Sequence, residues 1–292
     1  MKNNSKSYLS VAVVVLIGAL IALAGSQGST KVAGFPLYAL AVIMAFAVQW
    51  VVFIPSYFNR TEKFFDLTGS LTYLTVTALA VLMSPVKDFR SLILLVLVTI
   101  WALRLGIFLF TRIKKAGEDR RFRELKTSFP KFLMTWTLQG LWVTFSLAAA
   151  LAVITSDVRV GFDAFAVIGI IIWIIGFSFE AVADRQKSAF KEDSSNKDKF
   201  INTGLWSLSR HPNYFGEIIL WVGIAVIALP VLSGWQWVTL ISPVFVTILL
   251  TKISGVPMLE KRADEQWGGQ PDYEAYKTNT SVLIPMLPKG KK

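Results

Sequence analysis

The sequence predicts an all-α fold, a polytopic transmembrane helical bundle of about eight spans, or seven if the first is removed as a leader. Three observations point there. Of 292 residues, 54% are hydrophobic and only 17% charged, where a soluble domain carries about 25% charged residues. Apolar runs, each long enough to cross about 30 Å of hydrocarbon as a helix, recur near residues 8–24, 35–56, 65–84, 90–111, 132–154, 161–181, 214–231 and 236–254. The basic residues are sorted between the connecting segments. With the N-terminus inside, the inner segments hold two in the N-terminal tail, two in 57–64, eight in 112–131, six in 182–213 and seven in 252–292. The outer segments hold four, Lys31, Lys87, Arg90 and Arg159. This excess of 25 over 4 predicts an N-in, C-in orientation by the positive-inside rule.

The composition also excludes. With no cysteine there is no disulfide, thiolate nucleophile or cysteine metal site, and a single histidine leaves no basis for a histidine-built one. The net charge of +11 follows from topology and calls for no nucleic-acid partner. We expect one integral membrane domain over 1–292, with 204–288 as a C-terminal cofactor-binding core.

Taken in order, the first span ends in Ala22-Leu-Ala24 followed by Gly-Ser, like a leader cleavage site. Its apolar run is long for a leader, so a retained helix is the expectation. The third span opens with Glu62, Asp66, Ser70 and Tyr73 on one helical face, a polar stripe that belongs toward the bundle interior or a cavity. Asp66 and Tyr73, with Glu62 behind them, are candidates to donate a proton or hydrogen bond to a substrate oxygen. A first-turn acid effect accounts for Glu62 equally well. Arg104 lies inside the fourth span, with Arg112 eight residues on along roughly the same face. Such a stripe suits a phosphate-bearing ligand, and an ion pair between Arg104 and a carboxylate of another helix is the compatible alternative.

The sixth span ends with Glu180 and Asp184 one turn apart, then Lys187 and Lys191, an order that also suits the helix dipole. The chain then reaches the stretch around which the rest is organised, Gly204 to Glu217, where a polar loop turns into an apolar helix. It holds the single histidine, His211, beside Arg210, Asn213, Tyr214 and Glu217. Polar groups entering a membrane cost several kcal/mol unless something binds or pairs with them. Arg210 and Tyr214 would serve equally as interfacial anchors, but five such groups in eight residues point to a binding site. Beyond the last span, Glu260, Tyr273 and Tyr276, with Val282-Leu-Ile behind them, predict a tail with a buried apolar end that folds back and closes a pocket.

Arg-His-Pro-Asn-Tyr-Phe-Gly-Glu, an apolar helix and a Glu…Tyr…Tyr…Ile-Pro tail resemble the membrane superfamily of steroid 5-alpha-reductases, and more narrowly its DUF1295 branch. Phe-Asp-Leu-Thr-Gly-Ser and Asp184-Arg-Gln fit that branch, and the resemblance covers roughly 45–288. It implies reduction of an enone in a hydrophobic lipid or steroid by NADPH held from the cytosolic side. Residue by residue, Asn213 and Glu217 match the reductases' Asn-x-x-Gly-Glu element at the nicotinamide end, and Asp184 matches a cofactor-binding Asp. Glu180 stands where the family has Asn, and Lys191 and Lys199 fall where it uses Arg near the phosphates. Arg104 matches an Arg of the third conserved helix. The family's substrate-holding Glu falls near Asp66, with Glu62 second. Its Tyr falls near Trp101, which cannot donate in the same way, so Tyr73 is the candidate replacement.

Two other readings stand beside this one. Isoprenylcysteine and phospholipid methyltransferases share Arg-His-Pro-x-Tyr-x-Gly and the tail, and bind S-adenosylmethionine. Asn213 and Glu217 side with the reductases, and the methyltransferases' closely spaced Glu-Glu before the final Tyr is missing. A non-enzymatic lipid-binding or transport protein is the third, against which stands the lack of repeats or paired broken helices.

Overall fold

The computed structural model describes residues 2–287, apart from the side chains of residues 2, 3, 115, 116 and 120. It folds into eleven α-helices, a few short 3-10 and π turns and one short hairpin among those residues. Seven helical segments are long and apolar enough to cross a membrane, and Pro212–Ala228 is a shorter apolar helix. The chain is an integral, multi-pass membrane protein. The expected run at 214–231 is the short one. Its 17 residues reach about 26 Å at 1.5 Å per residue, against about 30 Å of hydrocarbon. The expected run at 236–254 belongs to a longer helical segment, Gly234–Trp267.

Two compact units divide the chain, the first made of residues up to Ala166 with Ile227–Ser242, the second of Val167–Val226 with the chain from Pro243 onward. The first contains α1 (Lys2–Gly25), the hairpin β1 (Lys31–Val32) and β2 (Phe35–Pro36), α2 (Leu37–Phe58), α3 (Phe65–Met83), α4 (Phe89–Ala116) and α5 (Phe129–Thr155). The hairpin turns on Ala33 and Gly34, both with positive φ, which matches the right-handed twist of paired strands.

Helix α5 is the centre of this unit and packs against α1, α2 and α3. Its second half, rich in Ala148, Ala149, Ala150 and Ala152, is buried all round, because small side chains let neighbouring helices approach. At its other end Phe132 and Trp136 form an aromatic core with Phe53 and Phe122. Arg90, one of the four cations expected on the outer side, is fully buried. Its guanidinium meets Asp163 at 2.5 Å and donates to the carbonyls of Ile227, Val160 and Gly161.

The second unit is built on α6 (Ala164–Glu192), α7 (Leu205–Leu208), α8 (Pro212–Ala228), α9 (Ile241–Ile248), α10 (Val256–Trp267) and α11 (Pro271–Asn279), with a π turn at Leu249–Ile253 between α9 and α10. Antiparallel α6 and α8 touch backbone to backbone. A Cβ on Gly216 would overlap Gly176 O and the backbone of Glu180, one on Gly176 would overlap Leu220 N and Gly216 O, and one on Gly223 would overlap Gly169 O and Trp173 N. The glycines recur every seven residues on both helices, so they stay on one seam.

The last residues of the tail are tied back through their main chain. Arg210 N–H donates to Ser281 O, Met286 N–H to Leu208 O, and Ser209 Oγ–H to Leu283 O. Val282 and Ile284, expected to be buried, are exposed, because an extended segment that docks by backbone hydrogen bonds leaves alternate side chains outward.

Replacing Gly216 with Leu puts a side chain into backbone that cannot yield. We expect a loss of about 1–3 kcal/mol, measured as a lowered thermal midpoint in detergent, with Gly161→Ala, where no atom lies within 4 Å of an added Cβ, as the smaller-effect control.

Candidate functional site

In the second unit the seam between α6 and α8 ends in polar groups. Asn213, in the first turn of α8, donates through Nδ2 to Asp184 Oδ1 at 3.1 Å. Its Oδ1 is buried without a partner. Glu217 follows one turn along α8, and Glu180, one turn before Asp184, is buried against Gly216.

His211 and Arg210, just before α8, share one acid. Glu260 on α10 takes His211 Nε2 at 2.7 Å on one oxygen and Arg210 Nη1 at 3.2 Å on the other. Tyr214 stacks on the His211 ring with centroids 5.6 Å apart, and Gly255 lets the Tyr214 ring lie close to the chain. Tyr276 donates to Trp206 O at 2.7 Å, and Trp206 Nε1 donates to Ala183 O. Burial pushes the Tyr276 phenol above its ordinary pKa, so it stays a neutral donor.

These groups border a cavity of about 280 Å³. Lys187, Lys191, Lys199, Arg210 and Arg262 bring five cations to it, and Glu260 is the one carboxylate in its lining. Phe190, Phe200, Trp206, Trp267, Tyr273 and Tyr276 supply aromatic walls. Phe200 packs against Trp267, Tyr273 and Tyr276, and Lys187 Nζ lies 4.3 Å from the Trp206 ring centroid.

In the first unit the stripe on α3 faces inward, as expected, with Glu62, Ser70 and Tyr73 buried. Glu62 is occupied on both oxygens, by Asp119 N–H at 3.0 Å and Lys126 Nζ at 2.7 Å. Asp66 faces Arg112 Nη2 at 3.9 Å. Ser70 lies against Gly106 of α4. Tyr73 meets Trp101 edge to face, centroids 4.9 Å apart, so the position where the resemblance puts a tyrosine and its candidate replacement are neighbours. Arg104 is half-buried on α4.

The family model described as "Protein of unknown function (DUF1295)" matches residues 52–280. The chain belongs to the DUF1295 family. It is also similar to a protein named steroid 5-alpha-reductase DET2, from Gossypium hirsutum, at 29% identity over 119 residues. That match covers 41% of this chain and 41% of the relative. No solved structure matches.

Among the site residues expected from sequence, this DUF1295 protein brings Lys191, Lys199, Arg210, His211, Glu260 and Tyr276 to one cavity, with Tyr214 behind His211 and Asp184 joined to Asn213. Asp66, Tyr73, Glu62, Arg104 and Arg112 belong to the other unit. Sequence reasoning missed Lys187, Arg262, Trp206 and Trp267 as members of the cavity. Lys187 carried a signal, one turn before Lys191 on the same face of α6. Arg262 and Trp267 carried none until α10 was seen to continue the last apolar segment.

Burial holds the His211 imidazole below its ordinary pKa, helped by Lys187 and Arg210 and opposed by Glu260. The folded state therefore prefers the neutral ring. Its contribution to stability is complete above the unfolded value of about 6.5 and is lost as pH falls from there through the lowered folded value. We expect the thermal midpoint of the DUF1295 protein to drop between about pH 7.5 and 5, and to drop less in His211→Asn.

Proposed function

We propose that this chain reduces the carbon–carbon double bond of an enone in a hydrophobic lipid or steroid, using NADPH. The observation that carries the reading is the charge of the cavity in the second unit, five cations against one carboxylate that Arg210 and His211 already share. That donor set fits phosphates. A volume of about 280 Å³ suits one nucleotide half of a dinucleotide better than the whole. S-adenosylmethionine has no phosphate and carries a sulfonium, which a wall of cations disfavours. Similarity to a protein named steroid 5-alpha-reductase supports the reaction class. The 25-to-4 distribution of basic residues supports a cytoplasmic cofactor side.

NADPH, when bound, supplies hydride to the β carbon of the enone, and a proton completes the reduction at the α carbon. The chain's own groups do the rest. Lys187, Lys191, Lys199, Arg210 and Arg262 hold phosphate, and Trp206, Trp267 and Tyr276 offer faces for a base. Glu260 fixes Arg210 and His211, so neither swings away from the cavity. Asp184 binds the Asn213 amide by its donor, which leaves Oδ1 to accept from a ligand N–H, and Glu217 supplies a second polar group on the same face of α8. In the first unit we assign Asp66 to the substrate oxygen, as hydrogen-bond or proton donor, with Tyr73 second. Glu62, held by Lys126 and Asp119, is the weakest of the three candidates. Arg112 is better read as the partner of Asp66 than as a phosphate ligand.

Titration in mild detergent tests the cofactor. NADPH at a hundred times its dissociation constant should stabilise the protein by about 2.7 kcal/mol, and S-adenosylmethionine should give no shift. A shift with S-adenosylmethionine alone makes the protein a methyltransferase, and no shift with either moves it to the non-enzymatic reading. With an enone substrate in hand, Asn213→Ala and Glu217→Gln should abolish turnover in protein that still folds. Asp66→Asn should lower turnover by about 10²–10⁴-fold with NADPH affinity kept, and an unchanged rate would remove Asp66 from the site.

A further inference from the structure

The connection between α4 and α5 and the neighbouring start of α3 pair acids with bases. Glu62 is taken by Lys126, Asp66 faces Arg112, Asp119 is bound by Arg121, and Glu118 by Arg123. Exposed Glu124 is the one acid of this loop with no cation among the described residues. Lys63 and Lys114 stand apart from these pairs. Both are exposed, and neither ammonium has an ion-pair or hydrogen-bond partner among the described residues.

Both also line one cavity, of about 210 Å³, whose remaining lining is Phe64, Phe110, Ile113 and Gly117, with no acid. Its place in the fold is specific. Lys114 ends the apolar segment Phe89–Lys114, and Lys63 stands two residues before the segment Phe65–Met83. The two ammoniums therefore sit where two membrane-length helices begin and end. Phe110 lies one turn before Lys114 on the same face of α4, and Phe64 is 49% exposed. Gly117 ends α4 with positive φ, and no atom lies within 4 Å of where a Cβ would stand, so the rim there is open. The end of α4 carries partial negative charge, and the two ammoniums are what make the cavity attractive to an anion.

We propose that this cavity binds the headgroup of an anionic phospholipid, with its phosphate between Lys63 and Lys114 and its first acyl carbons against Phe64 and Phe110. A small free anion would use the lysines and leave the aromatic wall idle. A zwitterionic lipid would use the wall and set its own cation against the lysines. The site shares no lining residue with the cation-rich cavity of the second unit and does not rest on the reductase reading.

Native mass spectrometry of the full chain in detergent tests it, with phosphatidylglycerol, phosphatidylcholine and inorganic phosphate as probes. One phosphatidylglycerol should bind about tenfold more tightly than phosphatidylcholine, in line with two lysines facing an anionic headgroup. Lys63→Gln with Lys114→Gln should remove that preference, and Lys63→Arg with Lys114→Arg should keep it. Both lysines are exposed, so an unchanged thermal midpoint is expected and shows that the variants fold. Equal binding of phosphatidylglycerol by wild type and the Gln variant, or equal affinity for the two lipids, would overturn the proposal. Displacement of the lipid by inorganic phosphate would overturn it too, in favour of a free-anion site.

Discussion

Two helices side by side in a bilayer gain little from hydrophobic burial, since lipid tails are as apolar as leucine. What holds α6 to α8 is close contact, and that contact depends on hydrogen atoms where side chains would be. At Gly176, Gly216 and Gly223 any Cβ would overlap main-chain atoms of the opposite helix. Because the same seam runs on to Asp184 and Asn213, glycine spacing decides which polar groups of the two helices meet. The 3.1 Å bond from Asn213 to Asp184 is the seam's polar end. A single larger residue at Gly216 would part the helices next to it.

The electrostatics of the molecule divide into places where charges cancel and places where they do not. Between α4 and α5 nearly every acid has its base, and the pairs tie the loop to the start of α3. Around the cavity of the second unit cations outnumber acids by five to one. Such an excess costs stability through mutual repulsion, and a structure retains it most readily where an anion relieves it. Glu260 does not neutralise the excess. Shared between Arg210 and His211, it sets the direction of two side chains instead.

Much of the site was legible because polar residues stand out against an apolar sequence. His211, Arg210, Asn213, Lys191, Lys199 and the tyrosines of the tail were found that way, and most of them meet at or beside one cavity. The aromatic wall was not legible. Trp206 and Trp267 look like ordinary apolar residues until Phe200 and Tyr276 are seen beside them. The tail was half legible: its docking was expected, but through Val282 and Ile284, whose side chains point outward while the main chain makes the bonds. Apolarity says that a residue wants cover, and a backbone hydrogen bond leaves no mark on residue type.

The sequence by itself determined that this chain is a membrane bundle, where its apolar helices lie, and which stretch concentrates its polar groups. These follow from composition and run length, which are local properties. Tertiary structure decided the partners: Glu260 for His211 and Arg210, Lys126 for Glu62, Arg112 for Asp66 and Trp101 for Tyr73. Each pair joins residues between 28 and 64 positions apart. Only helix packing and loop closure bring such distant side chains within reach, and neither is a property of any one segment.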